Sequence, residues 1–152
     1  MPELYTESPE ESEVLLKSPC VGFCSTTFGD PVCRGCKRLV AEVDGWNLLT
    51  TEQQQQIWQR LWQQTVIIVR QHIRISDPLR LQNQLQRFAI RHHPAAPAEV
   101  LAMDLLRAGS EKMQQLQAYG IEPLTEFNDL SPARLFNRMN RMLYEAAISD
   151  QS

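Results

Sequence analysis

Beyond residue 50 the apolar positions recur at helical rather than strand spacing. Ile57, Leu61, Thr65 and Ile68 form one line, and Trp58, Trp62, Val66, Val69 and Ile73 form a second beside it. Adjoining lines at steps of three and four make a wide apolar face, which predicts a helix running to about Ile75. Thr50 or Thr51 is suited to cap its start, with Gln53 or Gln54 returning the bond. Ser76-Asp77-Pro78 breaks the pattern and restarts it, Asp77 as the cap and Pro78 at the first helical position. The next helix is predicted to bury Leu81, Leu85 and Phe88 and to stop near His93-Pro94. Ala95-Ala96-Pro97 leads into a helix with Val100, Leu101 and Leu105 inside and Gly109 at its end. Ser110 opens a further helix with Met113 and Leu116, closed by Gly120. Ser131-Pro132 begins the last, with Leu135, Met139, Met142, Leu143 and Ala146 on one side. No run alternates as a strand does. The predicted fold class is all-α: a helical bundle with a small irregular four-cysteine metal-binding loop near the N-terminus.

That loop holds all four cysteines of the chain, Cys20, Cys24, Cys33 and Cys36, spaced Cys-x3-Cys-x8-Cys-x2-Cys. Two thiol pairs in a short segment punctuated by Gly and Pro are what a four-coordinate metal requires. Two disulfides, a redox thiol pair or four inert buried thiols are the alternatives. Disulfides would suit a secreted domain, but the stretch before the cysteines is acidic and does not read as a secretory leader. Gly35 allows a positive φ in the Cys33-Arg34-Gly35-Cys36 turn, which would aim backbone N–H groups at the first sulfur. Arg34, Lys37 and Arg38 stand beside the thiols, where cations favour thiolates. Phe23, Phe28 and Trp46 are the side chains expected to cover the cluster. Leu39 to Trp46 is read as a short helix with Val43 and Trp46 inward and Gly45 near its end.

Ser18-Pro19-Cys20-Val21-Gly22-Phe23-Cys24, then Cys33-Arg34-Gly35-Cys36-Lys37-Arg38, then Glu42-Val43 and Trp46, resemble the YdhL-like bacterial family of unknown function. The resemblance covers about residues 17–64. It implies a predicted iron–sulfur protein and carries over the four cysteines as its functional positions. From the spacing itself, zinc is the first reading, because it favours short paired knuckles in closed four-sulfur sites. An iron–sulfur cluster is the alternative, although the spacing matches neither common ferredoxin run. Either centre would use all four thiolates and leave no open position for a substrate.

Net charge is −3, but it is unevenly placed. Residues 1–17 carry a net −4. Residues 53–93 carry Arg60, Arg70, Arg74, Arg80, Arg87 and Arg91 against Asp77 alone. The basic stretch is open to two readings, nucleic-acid binding or solvation of helix faces. It lacks the lysines and exposed aromatics of a single-strand binder. Val66-Ile67-Ile68-Val69 is far too short to span a membrane. Residues 1–16 are read as a disordered acidic tail, 17–76 as the metal module with the long helix, and 77–152 as a helical extension packing on that helix.

A search for catalytic groups returns little. His72, His92 and His93 fall in no metal-binding helix motif, and there is no phosphate loop or nucleophile elbow. His92 and His93 are expected exposed at a helix end. Glu42 is expected to pair with Arg38 on a helix surface. Trp58, Trp62, Met139 and Met142 are expected in the core. The expected function is a small, cytoplasmic, non-enzymatic metal-binding protein, an interaction or adaptor module for another protein. An electron-transfer role for an iron–sulfur form and nucleic-acid binding are the alternatives, and no membrane is involved.

Overall fold

The computed structural model describes residues 18–22 and 24–151. The acidic tail of residues 1–16 lies outside them. Among the described residues are five α-helices, two short strands and several single 3-10 turns. Helix α1 spans Val40–Asp44, α2 Thr51–Arg70, α3 Pro78–Arg87, α4 Ala98–Gly109 and α5 Pro132–Gln151. Helices α2, α4 and α5 pack on one another, and α3 packs on α4. None of these helices is long and apolar enough to cross a membrane.

The caps follow local chemistry. Thr50 Oγ1 accepts from Gln53 N at 3.1 Å, and Gln53 Oε1 accepts from Thr50 N at 2.9 Å, closing a capping box on α2. Asp77 Oδ1 accepts from Arg80 N at 3.1 Å, with Pro78 at the first position of α3. Ser131 Oγ accepts from Arg134 N at 3.2 Å at the start of α5. Each bond satisfies an N–H that the helix itself cannot pair.

Three predicted elements differ. Helix α2 stops at Arg70, and Ile73–Ile75 is strand β1 rather than its last turn. It pairs antiparallel with β2, Ile121–Pro123, in the register Ile73 with Pro123, Arg74 with Glu122 and Ile75 with Ile121. The β-branched Ile73 and Ile75 flank an exposed Arg74, a strand pattern too short to stand out from the helical stripe before it. Helix α3 ends at Arg87, with Ala89 at φ 53°, so Phe88 is 52% exposed rather than buried. Ser110 closes α4 through its N–H to Leu106 O at 2.8 Å and opens no new helix. Leu116–Tyr119 is a 3-10 turn, ended by Gly120 at φ +80°.

Gly120 seats the small sheet against α3. Its carbonyl accepts from Ser76 N and Asp77 N at 2.9 and 3.2 Å, and a Cβ there would collide with the Asp77 carbonyl. The main core gathers Val69, Ile73, Leu81, Leu105, Leu135 and Met139 with their neighbours. A second cluster joins Trp46 to Ile57 and Leu61, with Leu49 and Trp58 at its edge. Met142 is half-buried while Met139 is fully enclosed.

Candidate metal centre and the cavity beside it

The Cys33–Cys36 turn is closed by backbone bonds on both sides. Val32 and Leu39 form an isolated antiparallel bridge, Cys33 N donates to Arg38 O at 2.9 Å, and Lys37 N donates to Cys33 O at 2.8 Å. The left-handed residue of the turn is Lys37, at φ 70°, and not Gly35. Its side chain compensates for that backbone cost. The buried Lys37 Nζ donates to Arg34 O at 2.6 Å, Gly35 O at 2.9 Å and Asn140 Oδ1 at 2.7 Å, tying the turn to α5. Burial, followed by the charge of Arg107, lowers the Lys37 pKa to about 8, against the opposing pull of Cys36 and Cys33.

The two cysteines of this turn are a polarised pair. Burial alone would push the Cys33 thiol up. Backbone N–H groups of Cys36, Ser25 and Gly35 and the Cys36 side chain outweigh it and bring the pKa down to about 7. Several N–H groups aimed at one sulfur are a backbone nest for a thiolate. Burial pushes the Cys36 thiol above its ordinary value, although Arg38 Nε reaches its Sγ at 3.2 Å. Arg38 also lies over the Trp46 ring, 4.9 Å from its centroid. Ser25 was not singled out in the sequence. It is buried, its Oγ accepts from Arg34 N at 2.8 Å, and the only sign of it was adjacency to Cys24.

Cys20 and Cys24 do not complete a cage here. Cys24 Sγ lies 2.9 Å from Thr26 Oγ1, and Cys20 Sγ accepts from Gly22 N at 3.4 Å. None of the four cysteines is in a disulfide. Among the described residues no three Cys, His, Asp or Glu side chains are grouped to hold one metal ion. The Cys33–Cys36 turn, with its backbone nest, has the chemistry of one half of a four-thiolate site. Of the expected cover, Trp46 is buried, Phe28 is 82% exposed, and Phe23 lies outside the described residues. Arg34 turns away from the thiols, to Asp30 Oδ2 at 3.1 Å and over the Tyr144 ring at 4.2 Å.

Glu42 pairs with Arg60 instead of Arg38, at 2.5 and 2.7 Å, and also accepts from Leu39 N at 2.9 Å. The basic stretch is balanced in the same way. Arg70 pairs with Glu99, Arg74 with Glu122 and Arg80 with Asp77.

A cavity of about 470 Å³ opens between the cysteine segment and the helices. Cys20 and Cys36 reach its lining, with Trp58, Trp62, His92 and His93 across from α2 and the loop after α3. The two tryptophans are therefore half-buried cavity residues, Trp58 also touching the smaller core cluster. The two histidines are not at a helix end. They lie well beyond the last residue of α3 and are half-buried, and burial lowers the pKa of His93. Asp104 lines the same space, its carboxyl pushed up by burial against the opposing charge and hydrogen bond of Arg107. His72 stands apart in the core. Ile68 O lies 2.8 Å from its Nδ1 and Arg138 Nε donates to its Nε2 at 3.1 Å, which fixes the tautomer with the proton on Nδ1.

Residues 18–65 match the model of a family described as "Protein of unknown function (DUF1289)". The match takes in all four cysteines and most of α2. No curated protein and no solved structure matches the chain.

Proposed function

We propose that this chain is a non-enzymatic metal-binding protein, cytoplasmic, in which Cys20, Cys24, Cys33 and Cys36 hold a single metal centre. The observation that carries this reading is the closed Cys33–Cys36 turn, bridged by Val32 and Leu39, whose backbone N–H groups face the Cys33 sulfur. Such a turn readies one sulfur for a cation before the remaining ligands arrive. Zinc is the first reading, since four thiolates in a short segment suit a closed tetrahedral site. The iron–sulfur cluster implied by the YdhL-like resemblance is the alternative, and the same N–H nest would serve it. With every ligand a thiolate, a zinc centre would be structural. Its role would be to order the N-terminal segment as a docking surface for another protein. Nucleic-acid binding has less support, because Glu42, Glu99 and Glu122 from outside the basic stretch pair with its arginines.

Metal analysis of protein purified without oxygen tests the reading. A colourless protein with about one zinc per chain is expected. Visible absorbance with bound iron and sulfide would select the cluster instead. Metal-free protein whose four thiols all titrate, and which does not take up added zinc, would overturn both.

A further inference from the structure

The cavity beside the cysteine segment shares Cys20 and Cys36 with the proposed metal centre, and the rest of its lining is specific. Its volume of about 470 Å³ lies in the range of small-molecule sites. One side is aromatic. Trp58 and Trp62, one turn apart on α2, have ring centroids 5.7 Å from each other, and each lies 5.0 Å from the His93 ring. Leu61 and Met103 extend that apolar lining. The charged groups of the lining are Lys37, Arg91 and Arg107 against the single carboxylate of Asp104.

These cations differ in what they have left to donate. The Lys37 ammonium already meets three oxygen acceptors. Arg107 donates through Nη1 to Asp104 at 3.0 Å, and Arg91 through Nη2 to the Cys20 carbonyl at 2.9 Å. A guanidinium carries five N–H donors in a planar fork, so each arginine keeps donors for a carboxylate.

We propose that this cavity binds a small planar aromatic molecule bearing one carboxylate. Its ring would lie against the Trp58, Trp62 and His93 cluster, and its carboxylate would meet Arg91 and Arg107. An aliphatic acid would leave the aromatic lining uncovered, and a neutral aromatic would leave the remaining N–H donors of Arg91 and Arg107 unmet. The proposal concerns the cavity as the structure shows it, with Cys20 and Cys36 in its wall.

Calorimetric titration of the full chain as purified tests it, with indole-3-carboxylate as the probe and indole-3-carboxamide and acetate as comparators. Saturable one-site binding of the carboxylate is expected, with both comparators at least about tenfold weaker. Arg91→Gln, at an exposed position, should weaken the carboxylate about tenfold and leave the carboxamide unchanged. Trp62→Leu should weaken both aromatic probes. Should Trp62→Leu fail to fold, Arg91→Gln decides alone. No saturable binding below about 10 mM, equal affinity for acid and amide, or an unaltered Arg91→Gln titration would each overturn the proposal.

Discussion

Arg60 holds Glu42 through both terminal nitrogens, at 2.5 and 2.7 Å, and so clamps α1 to the middle of α2. Burial pushes the Glu42 carboxyl up, but the hydrogen bond from Arg60, the Leu39 N–H and the charges of Arg60 and Arg38 together hold it below the ordinary value of a glutamate. A carboxyl depressed in the folded state contributes its full stability above the unfolded pKa and loses it as pH falls through the folded one. Glu42→Gln should therefore cost about 1–2 kcal/mol at pH 7. The gap between wild type and variant should close as pH drops below about 4.5. Urea unfolding at several pH values checks this, and a gap that does not change with pH would mean the pair adds nothing electrostatic.

Gly120 and Gly29 separate two costs of adding a methyl group. Both have positive φ, at +80° and +102°, but only at Gly120 does a Cβ meet backbone, the Asp77 carbonyl and, at 3.1 Å, the Leu81 N. Gly29→Ala should cost about 1 kcal/mol from φ alone, and Gly120→Ala about 3 kcal/mol or more. Equal shifts in melting temperature for the two variants would contradict the close approach of Gly120 to α3.

His72 is 1% exposed and bonded at both ring nitrogens, with Phe127 stacked at 4.7 Å. His72→Leu fills the space and removes both bonds. A loss of about 1 kcal/mol is expected for the two bonds removed, since the half-buried Ile68 carbonyl keeps Gln71 N and the exposed Arg138 can turn to water. Nitrogen-15 spectra of the wild type should show the proton on Nδ1. The opposite tautomer would permit neither bond and would contradict both contacts.

Metal removal should act locally. Under the proposed function, chelation should disorder residues 18–30, while the Val32–Leu39 turn keeps its backbone bridge and its tie to Asn140. Helices from Thr51 onward should keep their protection, since Val69, Leu105, Leu135 and Met139 pack without the cysteines. Amide exchange before and after chelation distinguishes the outcomes, and equal protection of the loop in both states would count against a metal centre.

Truncation after residue 76 should be costly. Val69 and Ile73 are 0% and 3% exposed in a core completed by Leu81, Leu105 and Leu135. Without those partners Ile68, Val69 and Ile73 would face water, and self-association measurable by light scattering is expected. A monomeric, folded 1–76 fragment with unchanged tryptophan fluorescence would show that the later helices are a separate module.

What the sequence by itself determined here is what short-range chemistry encodes. The capping box at Thr50, the Asp77 cap, the Pro-initiated helices α3 and α5, the apolar stripes of α2 and α5 and the paired thiols of Cys33 and Cys36 all depend on residues within about one turn of each other. The tertiary structure decided whatever needed a partner far along the chain. Ile73–Ile75 became a strand only because Ile121–Pro123 lies beside it. Glu42 chose Arg60 over Arg38 because the Trp46, Ile57 and Leu61 cluster folds the chain so that Arg60 comes within bidentate reach, while Arg38 is drawn to Cys36 and Trp46. Lys37 took the left-handed position expected of Gly35 because Asn140, more than a hundred residues away, completes its set of acceptors. Trp58, Trp62 and His93 could not be read as a cavity, because periodicity tells that a face is apolar but not what covers it.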